Sequence, residues 1–330
     1  MLTLSTEIIH HLKQQKNLLA FSGGVDSSAL FFLLQSYGIS FDIAIIDYGL
    51  RKQSQEEVEY AMNLGKEYNI KVHTTQSPHF EKNFEKSARD FRYSFFDLLI
   101  EKNKYQNLIT AHQLNDQLEW LLMRLTKGAG VSELIGLDEI SKRKSYTLIR
   151  PILHHSKEEL IAYLKENQHI YFVDESNFEE KYERNYFRKR FANELISKYR
   201  KGVQKSFSYL KEDKAYVLDG YREIFNHKEL YILEIKNQNI KVRLIDRYLK
   251  KLGYLLSSGQ RSELKESNSI VIGGLWAIEV VDNILYIAPH IKEVMPKRYK
   301  EACRVARLPS KIRCYCHKEE LEPKKVSLSL

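Results

Sequence analysis

Seven residues, Ser22-Gly23-Gly24-Val25-Asp26-Ser27-Ser28, constrain this chain more than any other stretch. They follow an apolar run from Asn17 and lead into a helical pattern from Ser27 to Gln35. Two glycines let the backbone turn tightly and approach a ligand without a side-chain clash. A helix start presents unpaired N–H groups, and its dipole favours an anion there. The serine hydroxyls add donors, so the unit is built as a phosphate cradle. No Gly-Lys-Ser/Thr follows, which excludes a Walker loop. The bland alternative is a glycine turn with a serine cap, and it requires far less than this full string.

The surroundings extend the pattern. Strands are expected at 17–22, 41–47, 70–75, 107–111 and 146–153, and helices at 27–35, 56–68, 87–102 and 112–127. Regular alternation of this kind argues an α/β class, a five-stranded parallel sheet with helices on both faces. Ligands of such sheets sit beyond the carboxyl ends of the strands. Ser22, Asp47 and His112 fall there. A chain of 330 residues is long for one domain. The second half reads as helices at 157–166, 187–209 and 242–252, with a pair of strands at 269–287 turning at Asp282-Asn283. A boundary near residue 205 divides 1–205 from a smaller helical or mixed domain, 206–330.

Charge and cysteine usage narrow the setting. Lys and Arg number 52 against 43 Asp and Glu, a net +9 that suits a polyanionic partner. The only cysteines are Cys303, Cys314 and Cys316, which is no disulfide framework and suits a reducing cytoplasm. Cys314-Tyr315-Cys316-His317 crowds its donors too closely for a zinc site. No apolar run is long enough to span a membrane, and the first residues carry no secretory pattern. The sequence selects neither a monomer nor a homodimer.

The stretch 112–125 carries a second constellation. At about 100° per residue, His112, Asp116 and Glu119 fall within roughly 60° of one another. Leu114, Leu118, Leu121, Leu122 and Leu125 lie opposite. The leucines are expected to bury the helix and the His–Asp–Glu stripe to face outward into the crevice. A carboxylate there can hold Mg²⁺ or orient an ammonium group, and a histidine can contact a phosphate. The alternative is a solvated polar face.

Residues 181–190 mix cations and aromatics, and Lys198, Arg200 and Lys201 extend them. Cations contact phosphates, and aromatics can stack on splayed bases. Phe187 and Phe191, at i and i+4, are expected to be mostly core, with Arg and Lys on RNA. If about six phosphates are neutralised, log affinity falls with log salt at a slope of about −4 to −5. The basic tail, with Arg304, Arg307, Lys311 and Arg313, is a second candidate.

Further strings occur in order: Ile46-Asp47-Tyr48-Gly49-Leu50-Arg51, Ala88-Arg89-Asp90-Phe91-Arg92-Tyr93, and Thr110-Ala111-His112 running on to Asp116-Gln117-Leu118-Glu119. Lys127-Gly128-Ala129-Gly130 with Gly136-Leu137, Arg150-Pro151-Ile152-Leu153, Asp174-Glu175-Ser176-Asn177 and Arg184-Asn185 with Arg188 complete the series. With the glycine loop, this series resembles the N-type ATP pyrophosphatases, and among them the tRNA(Ile)-lysidine synthetase family. The likeness covers residues 17 to about 190 and continues weakly through Val242 to Glu266. Asn115, Trp120 and Tyr48 depart from the family pattern, which has Asp, Thr and His there.

That resemblance implies a catalytic pyrophosphatase domain followed by a tRNA-binding domain. It implies ATP as co-substrate, Mg²⁺, free L-lysine, and a tRNA(Ile) with a CAU anticodon. The wobble cytidine O2 is adenylylated, and the lysine ε-amino group then displaces AMP from C2. Ser22, Gly23, Gly24, Val25, Asp26, Ser27 and Ser28 are implied to hold ATP, with Asp26 and Asp116 toward the metal. Asp26, Arg92, His112, Asp116 and Glu119 are implied to be catalytic. Arg89, Arg184, Arg188, Lys189 and Arg190 are the candidate tRNA contacts. Other pyrophosphatase-type synthetases, a tRNA thiolase included, are the alternatives, together with an RNA-binding module on a vestigial nucleotide fold. Residues 1–302 contain no cysteine, which counts against thiolation.

Overall fold

The computed structural model describes residues 2–49, 52–80, 84–173, 183–218 and 220–328. Asp174 to Asn177, Lys181, Tyr182, Leu50 and Arg51 lie outside the described residues. The chain divides into two compact units, Met1–Lys211 and Glu212–Leu330.

The first unit runs α1 (Thr6–Lys13), β1 (Asn17–Ala20), α2 (Val25–Ser36), β2 (Asp42–Asp47), α3 (Lys52–Glu67), β3 (Val72–Gln76), α4 (Phe84–Asn103) and β4 (Asn107–Ile109). It continues with α5 (Leu114–Leu125), α6 (Val131–Leu134), β5 (Ile140–Lys142), β6 (Thr147–Ile149), α7 (Lys157–Glu166) and α8 (Glu183–Phe187). A π-helical turn, Arg188–Ala192, then joins α8 to α9 (Asn193–Leu218), of which the residues up to Lys211 belong to this unit. The sheet order is β3-β2-β1-β4-β6-β5. The five expected strands are parallel neighbours, and a sixth, β5, pairs antiparallel with β6 at the edge.

The central strands read as continuous apolar runs because both sheet faces are covered. Alternate residues separate the faces. Leu19, Ile43, Ile45, Ile109 and Ile149 pack in one core with Ile8, Leu12, Leu30, Phe31, Leu64 and Leu160 from α1, α2, α3 and α7. Leu18, Ala44, Leu108 and Leu148 pack in another with Phe96, Leu99 and Ile100 from α4. The chain leaves β1 towards β2 and β3 on one side, then returns to place β4 on the other. The crevice beyond β1 and β4 is therefore the switch point, where open α/β sheets bind ligands.

The second unit contains β7 (Tyr221–His227), β8 (Leu230–Ile235), α10 (Lys241–Lys251), α11 (Ser258–Glu266), β9 (Ser269–Ile272), β10 (Trp276–Val281) and β11 (Ile284–Pro289). Three helices close it: α12 (Lys297–Val305), α13 (Arg313–Lys318) and α14 (Pro323–Leu328). Its five strands form an antiparallel sheet in the order β7-β8-β11-β10-β9. The pair expected at 269–287 is three strands, and the hairpin β7–β8 extends them. One face packs on α10 and α11, the other on α12 to α14. Cys303 and Cys316 are core residues of the second face, each 0% exposed.

Candidate active site

The glycine loop is held open by its own hydroxyls. Gly24 caps α2 in an extended conformation, while Gly23 adopts φ +73°. Ser27 Oγ accepts the Ser22 N–H at 3.2 Å and donates to the Gly24 carbonyl at 3.2 Å. Ser28 Oγ donates to the Gly23 carbonyl at 3.0 Å. The Phe172 N–H donates to the same carbonyl at 2.9 Å. The loop's carbonyls are thus engaged inside the protein, while the first N–H groups of α2 have no partner within the helix.

The two glycines are not equivalent. A Cβ on Gly23 would sit in the left-handed region, 3.3 Å from Phe172 Cδ2 and 3.4 Å from Glu57 Cγ. A Cβ on Gly24 meets only ordinary contacts, Ser22 Oγ at 3.6 Å and the Phe172 carbonyl at 4.0 Å. Gly23→Ala is therefore expected to destabilise the unit by about 1–2 kcal/mol, from the left-handed penalty plus crowding. Gly24→Ala leaves stability nearly unchanged. Thermal unfolding of the two variants side by side checks the difference, and equal losses contradict it.

Asp26, one residue into α2, is the unusual group of the loop. Its Oδ1 is buried and has no hydrogen-bond partner. Burial, and after it the charge of Asp116, push its pKa up to about 7, against the opposing charges of Lys157 and Arg188. The loop and α5 thus bring the two acids within electrostatic reach of each other. Two carboxylates close together in low dielectric resist being ionised at once unless a cation joins them.

Asp116 and Glu119 lie inside the protein rather than on an outward stripe, which corrects the sequence reading. Glu119 is 0% exposed and Asp116 8%. Arg184 and Arg188 cover them. Arg184 Nη2 donates to Asp116 Oδ1 at 2.5 Å, and its Nε to Glu119 Oε2 at 2.8 Å. Arg188 donates to Glu119 from Nε at 2.6 Å and from Nη2 at 3.1 Å. Asp116 Oδ2 also accepts the Gln113 N–H at 2.9 Å, closing a capping box at the start of α5. Burial raises the Asp116 pKa, but Arg184 and His112 outweigh it and hold the group below its ordinary value. In this structure Arg184 and Arg188, expected on RNA, are the counter-ions of the acidic pair.

His112 lies between β4 and α5, and its Nδ1 shares a hydrogen bond with Thr110 Oγ1 at 3.0 Å. Burial, opposed by Asp116 and helped by the positive charges of Arg150, Arg184 and Arg89, lowers its pKa to about 4. The charges of three arginines thus act on one neutral imidazole, an environment suited to an anionic ligand. Arg150 is missing from the sequence-based site set. It is 5% exposed and donates to the Asp138 carbonyl at 2.6 Å, while its Nε has no partner. Arg92 Nε donates to the Tyr48 hydroxyl at 3.0 Å, joining α4 to the end of β2. Lys157, also missing from that set, opens α7 near Asp26. Lys189 and Arg190 are exposed.

The departures Asn115 and Trp120 have structural roles. Asn115, 1% exposed, donates to Asn193 Oδ1 at 3.0 Å and accepts the Lys157 N–H at 3.2 Å. Trp120 donates to the Glu133 carbonyl at 2.9 Å. Its indole fills the space a Cβ at Gly136 would need, 2.1 Å away.

Comparison with known proteins places this geometry. The PP-loop domain family model matches residues 3–195. A tRNA(Ile)-lysidine synthase of Campylobacter jejuni is 42% identical over 97% of this chain and 98% of its own length. Those of Wolinella succinogenes and Helicobacter pylori are 41% and 39% identical, over 92% and 94% of this chain and 94% and 92% of their own. Among solved structures, the U34-tRNA thiolase NcsA of Methanococcus maripaludis shares the fold, with a TM-score of 0.53 and 16% identity, over 64% of this chain and 75% of that one.

Proposed function

The chain belongs to the PP-loop family and, within it, to the tRNA(Ile)-lysidine synthases, and from that premise we propose how its own residues act. The reaction joins L-lysine to C2 of the wobble cytidine in a CAU anticodon, using ATP. The observation that carries the assignment of the site is the buried, unpartnered Oδ1 of Asp26, within electrostatic reach of Asp116.

Ser22, Gly23, Gly24, Val25, Ser27 and Ser28 hold the ATP phosphates through loop N–H groups and hydroxyls. Among the described residues no three His, Cys, Asp or Glu side chains gather to hold a metal by themselves. Two carboxylates and a substrate phosphate are the donor set Mg²⁺ commonly uses. Asp26 and Asp116 fit it, and the ion supplies neutralisation of phosphate charge. His112, neutral at physiological pH, faces the phosphate with Arg89 and Arg92 near the reacting centre. Cytidine O2 attacks the α-phosphorus and pyrophosphate leaves. Asp116 and Glu119, now covered by Arg184 and Arg188, orient the ε-amino group of lysine once those arginines swing off them. After losing its proton the amine attacks C2, and the C2–O2 bond breaks with AMP as leaving group.

The test is incubation of the protein with labelled lysine, ATP and a CAU-anticodon tRNA(Ile) transcript. Incorporation that needs all three and releases both AMP and pyrophosphate is expected. Loss of label specificity for lysine, or pyrophosphate release without transfer, counts against the reading.

A pH dependence follows. With a pKa of about 7, Asp26 is protonated below that value and anionic above it. A metal competes with the proton for the same oxygens. Affinity for Mg²⁺ in the presence of ATP should rise about tenfold per pH unit below pH 7 and level off above it. Calorimetric titrations from pH 5.5 to 8.5 measure this, and a flat profile contradicts it.

A further inference from the structure

The helical stretch that supplies Arg184 and Arg188 carries a second face that the proposed chemistry leaves unused. The π-helical turn at Arg188–Ala192 shifts the helix register there. Ala192 and Ile196 turn inward, each 0% exposed, and pack with Leu114, Leu118 and Phe207. Phe191, Leu195 and Tyr199 turn outward, 41%, 36% and 62% exposed. Tyr186, 43% exposed, joins them. Its ring centroid is 5.8 Å from that of Phe187 and 5.8 Å from that of Phe191. The expectation that Phe187 and Phe191 are mostly core is therefore corrected for Phe191.

Tyr199 sits at a kink in the helix (φ −128°, ψ 22°), and exposed aromatics grouped on one solvent face up to it mark a recognition surface. Its neighbours state the chemistry of the partner. Residues 183–201 hold seven Lys or Arg against two acids, Glu183 and Glu194. Lys189, Arg190, Lys198 and Lys201 are exposed along the stripe. Aromatic faces interleaved with cations fit unstacked bases on a phosphate backbone. The stripe also begins two residues from Arg184, whose guanidinium lies on Asp116 and Glu119.

We propose that Tyr186 and Phe191, backed by Leu195 and Tyr199, form a stacking platform for bases flanking the wobble cytidine, while Arg184 and Arg188 serve the acids. This rests on the lysidine-synthase reading and deepens it. Stacking contributes differently from phosphate contacts, because it releases no counter-ions.

The test uses the full-length protein with a CAU anticodon stem-loop RNA. Tyr186→Leu and Phe191→Leu should each weaken binding about 5- to 100-fold, the range for loss of a base–aromatic stack. The slope of log affinity against log salt should stay at the wild-type value. Tyr186→Trp and Phe191→Trp should restore affinity, and ATP binding and thermal unfolding should not move. Leucine variants that bind within twofold of wild type, or that change the salt slope, overturn the platform. So does sedimentation in which the leucine variants dissociate a wild-type oligomer, since the stripe is then a self-association face. A wild-type protein that binds the stem-loop in this aromatic-dependent way but incorporates no lysine contradicts the proposed reaction and leaves the platform standing.

Discussion

Asp26→Asn is expected to lower the rate of lysine incorporation by about 10³-fold or more, the scale of losing a preorganised charge at a phosphoryl transition state. The same variant should be more stable than wild type at pH 8. The sign follows from the raised pKa of about 7 in the folded protein, against an ordinary carboxyl value of 3.8. An acid whose pKa rises on folding contributes stability below its unfolded value. That contribution is lost as pH rises towards the folded pKa. Wild type therefore gives up stability between about pH 4 and pH 7, and the neutral amide does not. At pH 8 the difference should be about 2–4 kcal/mol in favour of Asp26→Asn, and at pH 4 it should nearly vanish. Activity and urea unfolding at both pH values test this together. A variant that is inactive and less stable at pH 8 would point to a structural role for Asp26 instead.

That opposition explains why the loop was legible in sequence. A group kept at the cost of stability stands in a short, local string, and Ser22 to Ser28 needs only adjacent residues to form its turn. The parallel strands were legible for a similar reason. Leu18, Leu19, Ile43, Ala44 and Ile45 are buried on both faces, so their runs are apolar without interruption. The second unit was harder. Strand β7 has a register shift between Glu223 and Phe225, which breaks the alternation a strand is recognised by. Strand β10 begins with Trp276 to Glu279 all buried, and its alternation is lost because both of its faces are covered.

The interior of the site was not legible, because its partners are far apart in sequence. Helical spacing puts His112, Asp116 and Glu119 on one face, but it cannot say what covers that face. Arg184 lies 65 residues beyond Glu119 and Arg188 lies 69 beyond it. The substitution at Asn115 looks like a change in the chemistry when read beside Asp116. In the fold its side chain instead ties α5 to Asn193 and to the start of α7.

The acid–arginine cluster is also where the largest loss of stability is expected. Glu119 is fully buried, whereas the side chains of Arg184 and Arg188 are 32% and 22% exposed. The two ends of the interaction are therefore unequal. If Glu119 becomes Gln, both guanidinium groups can turn partly to water, and the loss should be about 1–2 kcal/mol. If Arg188 becomes Ala, the Glu119 carboxylate loses two of its three donated hydrogen bonds. It has no route to solvent, so the loss should be about 2–4 kcal/mol. The double variant should cost less than the sum of the singles, because removing the buried charge removes the reason the arginine was needed. The exposed pair Lys198–Glu194, separated by 2.7 Å in the same unit, serves as a control in which truncation should change nothing resolvable. The chain has two tryptophans, Trp120 in the first unit and Trp276 in the second. Urea unfolding in a Trp276→Phe background thus reports the unit that holds the cluster. Equal losses for Arg188→Ala and Glu119→Gln would mean that water reaches Glu119.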